Sequence, residues 1–135
     1  VEVQFVASIA PIVGDADDAA HFYRDVLGLP VEGDEYLSTE AMEGVKHFGL
    51  WPLSGAAQSC FGTQSWPEDF PVPHASVEFE LGSPALVTEA VAELEAAGYR
   101  MLHGAREEPW GQTVARMQTP DGLIVGLSFA PWMHS

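Results

Sequence analysis

The sequence predicts an α+β fold built from two βαβββ modules that pair into one domain with a concave cleft. Three observations carry this. Two helices of similar make-up are each closed by a glycine, Gly28 and Gly98, 70 residues apart. One strand-like run precedes each helix and three follow it. The proline-rich stretch "WPEDFPVP" (Trp66–Pro73) separates the two sets, and its prolines exclude a central strand. Each half is too small to bury much apolar surface alone, so the halves are expected to fold together.

The elements follow in order. Val3–Val13 alternates as a strand. "GDADDAAHFYRDVLGL" reads as a helix with Asp15 as cap, acidic residues in its first turn and Gly28 at its end. Its predicted apolar stripe is Ala19, Phe22, Tyr23, Val26 and Leu27. Strands are expected at Pro30–Ser38, Val45–Leu53 and Ala57–Trp66, completing module one at about residues 1–66, with a linker at about 67–73. Module two, about 74–135, starts with a strand at His74–Leu81. Its helix is capped by Ser83, has Pro84 in the first helical position and carries the stripe Val87, Ala90, Val91, Leu94, Ala97. Strands at Tyr99–Glu107, Gly111–Thr119 and Leu123–Ala130 follow, the last two joined by a tight Thr119–Gly122 turn.

Composition narrows the function. Twenty Asp and Glu against five Lys and Arg give a net charge of −15 in 135 residues. Such a surface repels phosphate backbones and anionic lipid and attracts cations, so a small, cationic molecule is the expected partner and nucleic acid and membrane are not. No apolar run is long enough to span a bilayer, and no basic, then apolar leader opens the chain; a cytoplasmic location is the expectation. The lone Cys60 excludes an intrachain disulfide and a cysteine zinc cage, and reads as small core filling. Phosphate-loop, nucleophile-elbow and HExxH patterns are lacking.

Strand alternation assigns faces. Ala75, Val77, Phe79 and Leu81 should pack on the helix, leaving His74, Ser76, Glu78 and Glu80 toward the cleft. In the last strand Leu123, Val125, Leu127 and Phe129 face the helix, and Gly126 and Ser128 the cleft; Ser8 is the matching residue of the first strand. Trp51, Phe61, Trp66 and Trp110 are candidate stacking surfaces for a flat ligand. His47 lies on the face of Trp51, two steps away, and with His74 and Glu78 offers ligand-binding or acid/base groups. His103 and His134 show no constellation, and no catalytic residue is assigned.

Three stretches, "HFYRDVLGLPV", "VAELEAAGY" and "EEPWGQTVARMQTPDGLIVGL", resemble the vicinal oxygen chelate superfamily of glyoxalases, extradiol dioxygenases and bleomycin-resistance proteins. The resemblance implies a glyoxalase/bleomycin-resistance-type domain of paired βαβββ modules, and a homodimer. It also implies metal ligands on the cleft face, and these positions fall on Ser8, on Ser76 or His74, near Gln64, and on Gly126. Glycine and serine are not metal ligands of the expected kind. No metal or other cofactor is therefore expected, and the resemblance is nearest to the metal-free bleomycin-resistance branch, which sequesters a cationic aromatic drug. The alternative is a metal-dependent lyase, isomerase or dioxygenase of the same superfamily.

Overall fold

The computed structural model describes residues 1–134. Seven strands form one sheet: β1 (Phe5–Val13), β2 (Leu37–Thr39), β3 (His47–Pro52), β4 (Ala75–Glu80), β5 (Met101–Glu107), β6 (Thr113–Gln118) and β7 (Ile124–Phe129), in the order β2-β3-β1-β4-β7-β6-β5. The helices are α1 (Ala16–Ala20), α2 (Leu53–Phe61) and α3 (Pro84–Ala96). Among the described residues no helix is long and apolar enough to cross a membrane.

The repeat predicted from the two helices is visible in the pairing. β1 and β4 lie antiparallel at the centre, and each pairs on its outer side with a parallel strand, β3 or β7, that arrives after the helical crossover. Two apolar layers cover the helix side of the sheet. Ala19 and Ala20 of α1 pack on Phe48, Leu50, Val31 and Leu37. Val87 and Ala90 of α3 pack on Leu81, Ala115 and Leu127, with Phe79 and Phe129 beside them. The alternation assigned from sequence to Phe79, Leu81, Leu127 and Phe129 thus holds.

The helix ends follow their caps. Asp15 accepts from the Asp18 backbone N–H at 3.0 Å, and Ser83 Oγ accepts from that of Leu86 at 3.2 Å. After α1 the chain widens into a π-helical turn, His21–Val26, in which the Leu27 N–H reaches back five residues to the Phe22 carbonyl at 2.9 Å. That extra residue per turn rotates the predicted stripe off the core. Ala19 and Tyr23 pack inward, whereas Phe22, Val26 and Leu27 are exposed.

Module one departs from expectation in two places. The strand expected over Pro30–Ser38 is broken by a turn at Gly33, φ +133°, leaving Glu32 joined by a single bridge to Ser38 of β2. The strand expected over Ala57–Trp66 is instead helix α2, closed at Gly62 with φ 72°. "LSGAAQSCF" contains no β-branched residue to favour a strand. Its small residues Ala56, Ala57 and Cys60, at i, i+1 and i+4, make a buried helical face instead, and they pack on Ile124, with Trp51 and Ile12 beside it. The strand parallel to β1 is therefore β3, and α2 lies across one end of the sheet's other face.

Candidate functional site

The sheet is strongly curled. β3 and β6 are separated by four strand spacings, about 19 Å on a flat sheet, yet the Arg116 guanidinium of β6 sits 5.3 Å from the ring centre of Trp51 on β3. The enclosed cleft has a volume of about 840 Å³. Its floor is Ser8 and Ala10 of β1 and Ser76 and Glu78 of β4, with His47 and Trp51 on one wall and Gln112 and Arg116 on the other. Trp132 and Met133, in a short turn after β7, complete the lining.

Two glycines shape the floor. Gly126 is paired with Glu78 across the β4–β7 ladder, and a methyl group added to it would lie 2.8 Å from Glu78 Cγ. The Glu78 side chain lies over the bare backbone of Gly126. Gly49, on β3, plays the same part for Tyr36: a methyl group there would overlap the phenol. The Tyr36 hydroxyl is thereby turned inward, where it forms a 2.7 Å hydrogen bond with His47 Nε2, the two rings stacked at 5.8 Å. Burial, and next the charge of Glu78, push the Tyr36 phenol well above its ordinary pKa, so it stays protonated. Its proton is then available to His47 Nε2, and Glu40 Oε1 stands 3.8 Å from His47 Nδ1.

The Pro-Trp-Gly segment is the turn between β5 and β6. Gly111 takes φ +93°, and its N–H donates to the Glu108 carbonyl at 2.9 Å. The Trp110 indole N–H donates to Gln112 Oε1 at 2.9 Å. Gln112, itself buried, donates to Ser128 Oγ at 2.8 Å and to Glu78 Oε1 at 3.0 Å. One amide therefore fixes both the orientation of the half-exposed indole and that of the cleft carboxylate.

Of the residues singled out in the sequence, Ser8, His47, Trp51, Ser76, Glu78 and Trp110 line this cavity, and Gly126 lies beneath Glu78. The structure places the others elsewhere. Phe61, at the end of helix α2, and Trp66, in the irregular segment that follows it, meet edge to face at 4.9 Å in the layer between α2 and the sheet. His74 is exposed just before β4, and its carbonyl accepts from the Ile12 N–H at 2.8 Å. Gln64 is exposed. Glu80 is fully buried away from the cleft, where its Oε2 bonds His134 Nε2 at 2.8 Å and the Ala130 backbone N–H.

Tyr36, Gln112, Arg116 and Trp132 were missed in the sequence. A signal for Arg116 was present, an arginine in the middle of the apolar run "TVARMQ". It is buried, with one hydrogen bond, to His103 Nε2 at 3.1 Å, and two carboxylates, Glu78 and Glu108, at 3.7 Å. Burial pushes the His103 pKa down to about 4, with the charge of Arg116 acting in the same direction, so the ring is neutral.

At Ser8 and Gly126, two of the metal-ligand positions implied by the resemblance, the residues present do not fit a divalent ion. Ser8 offers a neutral hydroxyl and Gly126 offers nothing. Glu78, the carboxylate beside them, is held by Gln112 and faced by a guanidinium that would repel a cation. Among the described residues, no group of three or more His, Cys, Asp or Glu side chains could hold a metal ion.

Similarity to known proteins agrees with this architecture. No curated protein matches the chain significantly. A glyoxalase/bleomycin resistance protein/dioxygenase superfamily member from Vibrio splendidus 12B01 superposes with a TM-score of 0.59 at 16% identity, covering 96% of this chain and 100% of its own. A Streptomyces coelicolor methylmalonyl-CoA epimerase matches with a TM-score of 0.59 at 17% identity, covering 99% of each chain. An extradiol ring-cleaving dioxygenase from B. fuscum gives 0.64 at 21% identity, over 95% of this chain and 33% of its own. At these identities the likeness is one of fold. The family model for the Glyoxalase/Bleomycin resistance protein/Dioxygenase superfamily matches residues 6–127, and the chain belongs to that superfamily.

Proposed function

We propose that the chain is a metal-independent small-molecule-binding protein of the glyoxalase/bleomycin-resistance type, which sequesters a cationic aromatic drug or metabolite. The observation that carries this reading is the lining of the cleft. Tyr36, Trp51, Trp110 and Trp132 surround a cavity that also presents the carboxylates of Glu35 and Glu40. Each aromatic contact contributes about 0.5–1.5 kcal/mol beyond area burial. A cation over an indole face adds about 0.5–2 kcal/mol as water is excluded. The net charge of −15 draws a cation toward the molecule before it binds.

The test is a melting-temperature screen against flat aromatic cations such as aminoacridinium, with and without chelator. The expected result is a saturable rise in Tm that chelator leaves unchanged and Trp51→Ala removes. No rise with any member of the series would refute the proposal.

A second reading, catalysis by an enzyme of the superfamily, is favoured by the Tyr36–His47 hydrogen bond of 2.7 Å at the cavity wall. A protonated phenol against an imidazole is an acid–base pair within reach of a bound molecule. This reading requires turnover that His47→Ala abolishes while leaving Tm within a few degrees of the parent.

A further inference from the structure

Arg116 is a cleft residue whose bonding is incomplete. It is 3% exposed, and its Nε has no hydrogen-bond partner among the described residues. A guanidinium carries five N–H donors in a planar fork, and burial removes the water that would otherwise satisfy them. Nη1 donates to His103 Nε2 at 3.1 Å. That partner is a neutral imidazole, since His103 Nδ1 is bonded to the Gly104 carbonyl at 2.8 Å and therefore carries the ring proton. It supplies a lone pair and no charge.

The neighbouring carboxylates do not complete the set. Glu78 Oε2 and Glu108 Oε1 each stand 3.7 Å from a guanidinium nitrogen, beyond hydrogen-bonding distance. Each carboxylate is also engaged elsewhere. Glu78 Oε1 accepts from Gln112 at 3.0 Å, and Glu108 Oε1 accepts from Arg106 Nε at 2.8 Å. The guanidinium lies against the Trp51 ring at 5.3 Å, on the wall of the cavity. It is thus a buried, oriented cation with open donors beside an aromatic surface.

We propose that Arg116 is an oxyanion subsite, whose fork takes a planar pair of ligand oxygens such as a carboxylate. A guanidinium matches that geometry through two parallel, charge-assisted hydrogen bonds. The ligand class is then a zwitterionic aromatic compound. Its oxygens meet Arg116, its ring lies among Trp51, Trp110 and Tyr36, and its cationic group meets the rim carboxylates Glu35 and Glu40. The cationic and aromatic parts rest on the sequestration reading above; the oxyanion part rests on Arg116 alone.

Three matched probes test this by isothermal titration on the full chain: an aminomethyl-naphthoate, the same naphthalene with the aminomethyl group alone, and the same with the carboxylate alone. The zwitterion is expected to bind at least about tenfold more tightly than the amine, which corresponds to about 1.4 kcal/mol. Arg116→Gln, checked for folding by circular dichroism, should reduce the zwitterion to the affinity of the amine. If that variant does not fold, the comparison of zwitterion with amine on the parent protein decides by itself. Equal affinity of zwitterion and amine would overturn the Arg116 subsite and leave cation sequestration standing. Binding of the zwitterion and the carboxylate, but not of the amine, would support the subsite and overturn the cationic reading. No binding of any probe at millimolar concentration would overturn both.

Discussion

Substituting Gly126 by alanine tests how the cleft floor is built. The backbone does not require glycine there, since Gly126 does not have a positive φ. Space does: the new methyl would lie 2.8 Å from Glu78 Cγ, against about 3.5–4.0 Å for carbon atoms at rest. Glu78 must therefore move by roughly 1 Å, which breaks its 3.0 Å hydrogen bond from Gln112. A hydrogen bond to a charged group contributes about 1.5–3 kcal/mol. Replacing glycine by alanine at a compatible position returns about 0.4–1 kcal/mol through the unfolded chain. The net cost of Gly126→Ala is then about 1–2 kcal/mol, or a fall in Tm of about 4–8 °C for a chain of this length. The assay is thermal unfolding by circular dichroism of the four members of a double-mutant cycle with Glu78→Ala. In the Glu78→Ala background the clash is absent, and the glycine substitution should change sign, stabilising by about 0.4–1 kcal/mol. If Gly126→Ala destabilises equally in both backgrounds, Glu78 does not occupy the space above Gly126 and the reasoning fails.

The same logic applies to Gly49→Ala, which should turn the Tyr36 phenol out of the cleft and lower Tm, with no such loss in the Tyr36→Ala background; unfolding curves of the two pairs check it. His103 should make the fold acid-sensitive. Its folded pKa of about 4 lies below its ordinary 6.5, so the unfolded chain binds more protons between these values. Stability should fall as pH drops through that window, and His103→Gln should flatten the slope of urea-unfolding free energy against pH there. Cys60 is buried and its thiol is pushed up to about 11, chiefly by burial, so the native protein should resist alkylation by iodoacetamide at neutral pH and react once unfolded, as mass spectrometry would show.

Much of the fold was legible because its signals are local. Asp15 and Ser83 as caps, Gly98 after α3 and the alternation through "HASVEFEL" and "LIVGLSF" each act within a few residues, and each recurs in the structure. Module one was harder to read. "AAQSCFG" is short, apolar and free of charge, and a strand and a helix fit such a run equally well by hydrophobicity; the absence of β-branched residues was the signal that separated them. That misreading also carried Phe61 and Trp66 toward the cleft, whereas Phe61 at the end of α2 and Trp66 in the segment after it pack with Ala57 and Ile124 in the core.

The cleft was legible in part for a different reason. Side chains on the central strands, Ser8, Ser76 and Glu78, follow from period-two alternation alone. Tyr36 and Arg116 do not, because one folds over Gly49 from an adjoining hairpin and the other meets Trp51 only through the curl of the sheet. The opposite fates of Glu78 and Glu80, two residues apart on the same face, show the same limit. The chain after β7 closes over Glu80 through Ala130 and His134, and leaves Glu78 in the cavity.

Metal-independent sequestration is tested most directly by isothermal titration of aminoacridinium into chelator-stripped protein, and again into protein preloaded with zinc. Binding of one molecule per chain to the stripped protein, with an affinity that zinc leaves unchanged and that Trp51→Ala weakens, is the predicted result. Binding that requires zinc, or none in either form, would contradict it.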